Sequence, residues 1–175
     1  MTKDTMKHAF CAAGLGLAGA LLALTGPACA APAEGVVRLG PPEGAIAAAV
    51  AVPPGYGMVY VSGMTPPVID EKAPPDSTAA FGDTKIQTLG VLQRLSDALK
   101  LRGLSFADVV MMRVYLVGDP AKGGKMDFAG MMEAYKQYFG TADQPNKPAR
   151  VTVQVASLVV PGMLVEIEVQ AAAKP

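Results

Sequence analysis

The chain has 175 residues, in which 15 Lys and Arg balance 15 Asp and Glu, with one His and two Cys. A net charge of zero without a basic stripe argues against nucleic acid as a partner. The length fits one domain with a sizeable core. A charged fraction of 17% suits a compact domain, or a chain that also buries surface against copies of itself.

The first thirty residues have the pattern of a secretory signal peptide. Lys3 and Lys7 precede an apolar run over residues 9–24, and an A-x-A sequence ends at Ala30. The run is short for a membrane-spanning helix and ends in small residues. We expect cleavage after Ala30, export to the periplasm or the outside, and no stable membrane association afterwards. An uncleaved anchor, or a lipid attached at Cys29, is the alternative.

Cleavage would remove several kinds of chemistry from the protein. His8, Cys11 and Cys29 all lie before the expected cleavage site, so the mature chain from Ala31 would lack His and Cys. That excludes a Ser-His-Asp triad, a Cys nucleophile, a His-containing zinc site and a disulfide. Any catalysis would use Arg, Lys, carboxylates, hydroxyls, backbone groups and water.

The first part of the mature chain predicts a lead-in and two strands. Residues 31–44, rich in Pro, Gly and Ala, predict a flexible lead-in to a domain over residues 45–175. Residues 45–52 predict a short strand that forms a hairpin with a second strand over residues 57–62. Residues 63–82 contain two Pro-Pro pairs and predict a long loop.

The middle of the chain predicts a helix followed by a buried strand. Residues 83–102 have apolar side chains at helical spacing, with Asp83 or Thr84 as the N-cap and Gly103 at the C′ position. Residues 107–117 are apolar on both faces, which is typical of a strand in the middle of a sheet.

The last part predicts a second helix and two adjacent strands. Asp127 caps a helix that extends through Phe139, and Gly140 ends it. Residues 147–156 and 164–169 predict neighbouring strands. The order β-β-α-β-α-β-β predicts an α+β fold with two helices on one face of a mixed sheet.

Strand alternation predicts the side on which each residue of the last two strands lies. We expect the valines of residues 151–155 and the apolar side chains of residues 165–169 to face the helices. The polar residues should face the other way: Arg150, Thr152, Gln154, Glu166 and Glu168. That mixed face would either meet water or be covered by another subunit. Arg150 would be either a ligand-binding group or paired across the strands with a glutamate.

Four short sequences, in this order, resemble the RidA/YjgF family of enamine/imine deaminases over residues 45–172. They are Val61-Ser62-Gly63, Asp127-Phe128-Ala129, Pro148-Ala149-Arg150 and Leu164-Val165-Glu166-Ile167-Glu168. The resemblance implies a chorismate-mutase-like fold and a homotrimer with a central barrel. It also implies pockets at the subunit interfaces and no cofactor.

The resemblance also implies roles for single residues. Arg150 corresponds to the arginine that grips a substrate carboxylate, and Glu166 to the glutamate that positions or activates water. Ser62 and Gly63 correspond to the segment that lines the substrate, and Thr152 lies in the same pocket where many members have a cysteine. The implied activity is that of a 2-iminobutanoate/2-iminopropanoate deaminase, a hydrolase that releases a 2-keto acid and ammonia from small enamine and imine acids.

The sequence departs from the family at three places. Residues 48–50 read Ala-Ala-Val where the deaminases have a tyrosine, Met64 replaces a glutamine, and Met132 replaces an asparagine. The pocket would therefore be more apolar, and it would either prefer a bulkier or more apolar ligand or react slowly. The alternative function is a trimer that binds small carboxylates without turnover.

Overall fold

The structure is a computed structural model that describes residues 34–174. The expected signal peptide, residues 1–30, and the start of the expected lead-in lie outside the described residues. Among residues 34–174, no helix is long and apolar enough to cross a membrane.

Six strands and three helices form the described part of the chain. The strands are β1 (Val37–Leu39), β2 (Ala49–Ala51), β3 (Gly57–Met64), β4 (Val109–Val117), β5 (Ala149–Val155) and β6 (Val165–Ala173). The helices are α1 (Thr78–Phe81), α2 (Thr84–Lys100) and α3 (Phe128–Tyr135).

Four strands form a mixed sheet in the order β3-β6-β4-β5. Strand β6 is antiparallel to both β3 and β4, whereas β5 is parallel to β4. Helix α2 connects β3 to β4, and α3 connects β4 to β5. Both helices pack on one face of the sheet, so the predicted α+β fold with a mixed sheet and two main helices is confirmed.

The core lies between the sheet and these two helices. Leu92, Leu95 and Leu99 of α2 are fully buried against strand residues that include Val114 and Ile167. Each such side chain contributes about 1.5–3 kcal/mol by leaving water. This layer holds the two crossover helices against the sheet and so fixes where α3 lies relative to β5.

The caps predicted for the helices are confirmed. The Asp83 carboxylate accepts from Ile86 N at 2.8 Å, and Asp127 accepts from Gly130 N at 3.1 Å. At the end of α2, Gly103 has a φ of 67°, and Leu104 N donates to Leu99 O at 3.1 Å. These bonds form a Schellman motif. Helix α3 ends at Tyr135, earlier than the predicted end at Phe139. Residues 136–139 form turns and a bend.

The first predicted hairpin is wrong. Strand β2 pairs with β1, and β3 pairs with β6, which offers nine residues for pairing. Part of the expected flexible lead-in is thus a strand. Its Arg38 Nη2 donates to Ala107 O at 2.8 Å and to Val109 O at 3.2 Å, which ties β1 to the start of β4.

The predicted adjacency of the last two strands is also wrong, because β4 lies between β5 and β6. The predicted inner position of β4 is confirmed by the same order. The sequence could not distinguish these arrangements, because β4 and β6 meet across a long stretch of intervening chain.

Strand alternation was predicted correctly for β6 and wrongly for β5. The apolar residues of β6 are buried toward the helices, and Glu166 and Glu168 lie on the opposite face. In β5, Arg150 and Thr152 align with buried Met112 and Val114 of β4 and therefore face the helices. Val151 and Val153 face the other way and are each 40% exposed.

Candidate functional site

Arg150 is the centre of the candidate site and lies under α3. Its guanidinium carbon is 4.4 Å from the centroid of the Tyr135 ring and 5.9 Å from that of Phe128. Its Nη2 donates to Met132 Sδ at 3.1 Å, and a thioether is a weak acceptor. The guanidinium is thus held by aromatic faces and sulfur, without strong hydrogen-bond acceptors in these contacts.

Two polar atoms on this side of β5 are buried without a hydrogen-bond partner among residues 34–174. They are Arg150 Nη1 and Thr152 Oγ1, two positions apart on the same face of the strand. Leaving such an atom unsatisfied costs about 1–3 kcal/mol, and more for a charged group. A ligand with two acceptor oxygens, such as a carboxylate, would satisfy the arginine fork.

The electrostatics of this pocket favour an anion. Burial lowers the pKa of Arg150, and the neighbouring Tyr135 opposes that shift. An arginine starts from so high a pKa that it stays charged. Burial raises the pKa of Tyr135 to about 12, so its hydroxyl is neutral at pH 7. That hydroxyl donates to Ala45 O at 3.1 Å, which leaves the ring face to the guanidinium.

Of the α3 residues in this pocket, only Met132 was predicted to lie there, at the position where the family has an asparagine. Phe128, Met132 and Tyr135 follow a spacing of four and three, so they share one face of α3. The order β4-α3-β5 could have indicated this contact. A helix that connects two parallel strands packs on the sheet beside the strand that follows it.

The other predicted site residues form a second group around β3 and β6. The pairing of these strands is irregular between Val61 and Met64, and Gly63 lies directly against the carboxylate of Glu166. A Cβ at position 63 would overlap Glu166 Oε1. Ser62 is exposed beside them. The structure therefore brings Gly63, Ser62 and Glu166 together.

Within one chain the two groups are separate. Arg150 aligns with Met112 of β4, and Glu166 aligns with Tyr115, three residues further along, or roughly 10 Å. They also lie on opposite faces of the sheet. A single chain does not bring Arg150 and Glu166 to one substrate.

The alternative pairing of Arg150 with a β6 glutamate is wrong. Arg113 pairs with Glu168 at 2.9 Å, and the Tyr115 hydroxyl donates to the same carboxylate oxygen at 3.1 Å. Among residues 34–174, no carboxylate pairs with Arg150.

The positions that depart from the family pattern lie near β5 or against the core. Ala47 bridges to Ala149, so residues 48–50 run beside the start of β5. Met132 contacts Arg150, and Met64 packs against the core. Sulfur and methyl groups thus stand where the resemblance implied polar side chains.

Other features of the described chain mark no competing centre. A cavity of about 680 Å³ is lined by residues that include Arg38, Tyr56, Asp108 and Asn146, and Arg150 does not line it. Within residues 34–174, no group of three or more His, Cys, Asp or Glu side chains could hold a metal ion. Arg38 Nε is also buried without a partner among residues 34–174, but Arg38 Nη2 donates to two carbonyl oxygens, whereas the only hydrogen bond of the Arg150 guanidinium within these residues is to a thioether.

Comparison with known proteins agrees with this fold. The profile of the family described as Endoribonuclease L-PSP matches residues 45–173. A RutC family protein of Pyrococcus horikoshii is 37% identical over 110 residues, which cover 63% of this chain and 75% of that protein.

Two solved structures share the fold. A Rid family protein of unknown function from Yersinia pestis superposes with a TM-score of 0.57 at 21% identity, covering 78% of this chain and 97% of that one. A putative endoribonuclease from Thermotoga maritima gives a TM-score of 0.51 at 30% identity, covering 76% and 90%. The chain described here belongs to the Endoribonuclease L-PSP family, the RidA/YjgF/RutC proteins.

Proposed function

We propose that this protein binds small carboxylates through Arg150 and hydrolyses reactive enamine and imine acids. The observation that carries the proposal is a half-buried guanidinium, with its Nη1 fully buried, that has no carboxylate partner among residues 34–174. A buried charge without a counterion is costly, so a site that retains one is suited to an anionic ligand. Family membership makes an imine acid the first candidate for that ligand.

The chemistry needs few groups. Arg150 would hold the carboxylate by two parallel hydrogen bonds, with Thr152 Oγ1 close by on the same face. Water adds to the electrophilic C=N carbon, and the resulting carbinolamine expels ammonia to leave a 2-keto acid. A glutamate at the position of Glu166 would accept the proton of that water, which contributes ~10²–10⁴-fold.

A second protomer supplies Glu166 in this proposal. Because Arg150 and Glu166 lie on opposite faces of one sheet, a complete site pairs the α3 side of one chain with the open face of another. Contacts between two different surfaces close into a ring, here the homotrimer that the family resemblance implies. The open face offers exposed apolar side chains for this contact: Met58, Tyr60, Val151 and Val153.

The lining of the pocket suggests the ligand class. Phe128 is 43% exposed above Arg150, and Met132 lies beside it. These groups offer dispersion contacts but no strong hydrogen bonds. Carboxylates with an apolar side chain should therefore bind better than equally sized polar ones.

The first test measures turnover. An imine acid generated in solution by an amino-acid oxidase should release ammonia faster in the presence of the purified protein. Arg150→Ala should lower the rate by about 10- to 100-fold, because it removes a charged hydrogen bond worth about 1.5–3 kcal/mol. Arg94→Ala is the matched control, since Arg94 is exposed on α2 and contacts Thr65 O. Equal rates for the wild type and Arg150→Ala would contradict the proposal.

A carboxylate-binding trimer without turnover is the second candidate. Met132 and the alanines of residues 48–50 favour it, because they replace polar groups that the family's deaminases carry near the site. Thermal stabilisation by a carboxylate in the wild type, lost in Arg150→Ala, without any ammonia release, would identify this function.

We also propose that the protein is exported. Its support is the signal-like pattern of residues 1–30, with Lys3 and Lys7 before the apolar run and small residues up to Ala30.

A further inference from the structure

Met132 is the side chain that contacts the hydrogen-bonding edge of Arg150. Its Sδ accepts from Arg150 Nη2 at 3.1 Å, and the neighbouring Nη1 has no partner among residues 34–174. The side chain is half-buried, whereas Met131 and Met112 are fully buried. Met132 is therefore a thioether with partial access to solvent at the edge of the anion site.

Oxidation would change the character of this contact. A peroxide transfers one oxygen atom to the thioether lone pair, its O–O bond breaks, and water and a sulfoxide are the products. The sulfoxide oxygen is a polar acceptor, where the thioether sulfur was a weak one. It would be formed beside two N–H groups of a buried cation.

We propose that Met132 is an oxidation site that closes the carboxylate site of this protein. The sulfoxide oxygen takes hydrogen bonds from Arg150 and occupies the space of one carboxylate oxygen. The inference rests on the proposed function, because it assumes that Arg150 binds a carboxylate. A thiol-dependent methionine sulfoxide reductase would reopen the site: two thiols supply the two electrons and become a disulfide, and the oxygen leaves as water.

A bound carboxylate should hinder the oxidation of Met132, and oxidation of Met132 should hinder carboxylate binding. A carboxylate held by Arg150 covers the sulfur, and the sulfoxide excludes the carboxylate. Both effects follow from competition for the same space beside Arg150. A saturating carboxylate should therefore slow the oxidation of Met132 without slowing that of Met163, which is half-buried and lines a separate cavity with Thr78 and Val117.

The experiment uses the purified protein, hydrogen peroxide and the carboxylate 4-methyl-2-oxopentanoate. Peptide mass spectrometry measures the sulfoxide at Met132, and calorimetry measures binding before and after oxidation. We expect a loss of affinity of about 10- to 100-fold in the wild type. Met132→Leu, compared with itself before and after peroxide, should keep its affinity, whereas Met163→Leu should respond as the wild type does. Unchanged binding by protein that carries the Met132 sulfoxide would overturn the inference.

A second measurement needs no ligand and separates this inference from the proposed function. In the wild type, Arg150 donates to the sulfoxide and offsets the cost of burying a polar group. In Arg150→Leu no donor remains and no new thioether is added, so oxidation of Met132 should lower the melting temperature more. If the protein binds no carboxylate but the two proteins differ in this way in melting temperature, only the proposed function is contradicted. The same melting-temperature change in both proteins would overturn the sulfoxide contact.

Discussion

At the scale of single residues, the site depends on one cation held in a poorly solvating pocket. Arg150 has the Tyr135 ring at 4.4 Å and the Met132 sulfur at 3.1 Å, and neither replaces a carboxylate. The sequence identified Arg150 through the family resemblance. It did not predict Tyr135 as a partner, because a tyrosine at a core position of a helix is indistinguishable from packing until the next strand is placed.

Tyr135→Phe tests the two functions of this tyrosine separately. The change removes the hydrogen bond from its hydroxyl to Ala45 O and keeps the ring against the Arg150 guanidinium. We expect the free energy of unfolding to fall by about 1 kcal/mol at pH 8. Carboxylate affinity should stay within about twofold if the ring face is what Arg150 needs. A loss of affinity as large as that of Arg150→Ala would show that the hydroxyl itself is required.

The pH dependence of the same pair has a defined sign. Burial raises the pKa of Tyr135 from 10.0 to about 12, so the folded state binds this proton more tightly than the unfolded state. The resulting stability is fully present below pH 10 and is lost as the pH rises through 12. Urea unfolding should show the wild type losing its advantage over Tyr135→Phe near pH 11. A difference that stayed constant from pH 8 to 12 would contradict this pKa.

At the scale of elements, local signals were sufficient for the helices and insufficient for strand order. Asp83, Asp127 and Gly103 mark helix ends through contacts within a few residues, and all three predictions hold. The side assignment of β5 failed for a non-local reason. Its valines lie on a face that is apolar although no helix covers it, so hydrophobic alternation indicated the wrong side of the sheet.

One buried amide joins the elements that precede β6. Gln87 of α2 is 1% exposed, and its Nε2 donates to Gly82 O at 2.8 Å and to Gly162 O at 2.9 Å. Its Oε1 accepts from Leu164 N at 2.6 Å. The amide thus fixes the loop from which β6 and Glu166 begin.

Gln87→Met should destabilise the protein by about 3 kcal/mol, because it leaves one buried and two part-buried backbone groups without this partner. Gln93→Met on the same helix is the matched control, since Gln93 is exposed and contacts Asp97. Urea unfolding should place that control within about 0.5 kcal/mol of the wild type. Similar losses in both variants would mean that helix α2, rather than the buried amide, carries the effect.

At the scale of the whole molecule, the proposed export predicts a specific mature protein. Full-length protein expressed in a bacterium with a general secretion pathway should be recovered from the periplasm or the medium with Ala31 as its first residue. Intact mass and N-terminal sequencing measure this directly. Recovery of the chain in the cytoplasm with its first thirty residues retained would contradict the proposal.

The division of the site between two surfaces has a consequence for the assembly. Arg150 and Glu166 are fixed on opposite faces of the sheet by β-strand alternation, and no side-chain rotation within one chain can bring them together. The sequence did not predict this separation, because the alternating valines of β5 indicated that Arg150 lies on the same face of the sheet as Glu166. If both residues act on one substrate, each complete site contains two protomers.

Mixing two inactive variants therefore tests the composite site. In the proposed homotrimer, Arg150→Ala and Glu166→Gln should each retain at most about one tenth of the wild-type rate when assembled alone. After joint unfolding and refolding at equal concentrations, an interface is complete when an Arg150 from one protomer meets a Glu166 from the next. Random assembly in a ring makes about one quarter of the interfaces complete, so about one quarter of the wild-type rate should return. A single-chain site would give no recovery at any mixing ratio, because every chain would still lack one of the two groups. A mixture of the wild type with the double variant controls for refolding. The activity of this mixture should fall as the proportion of double variant increases.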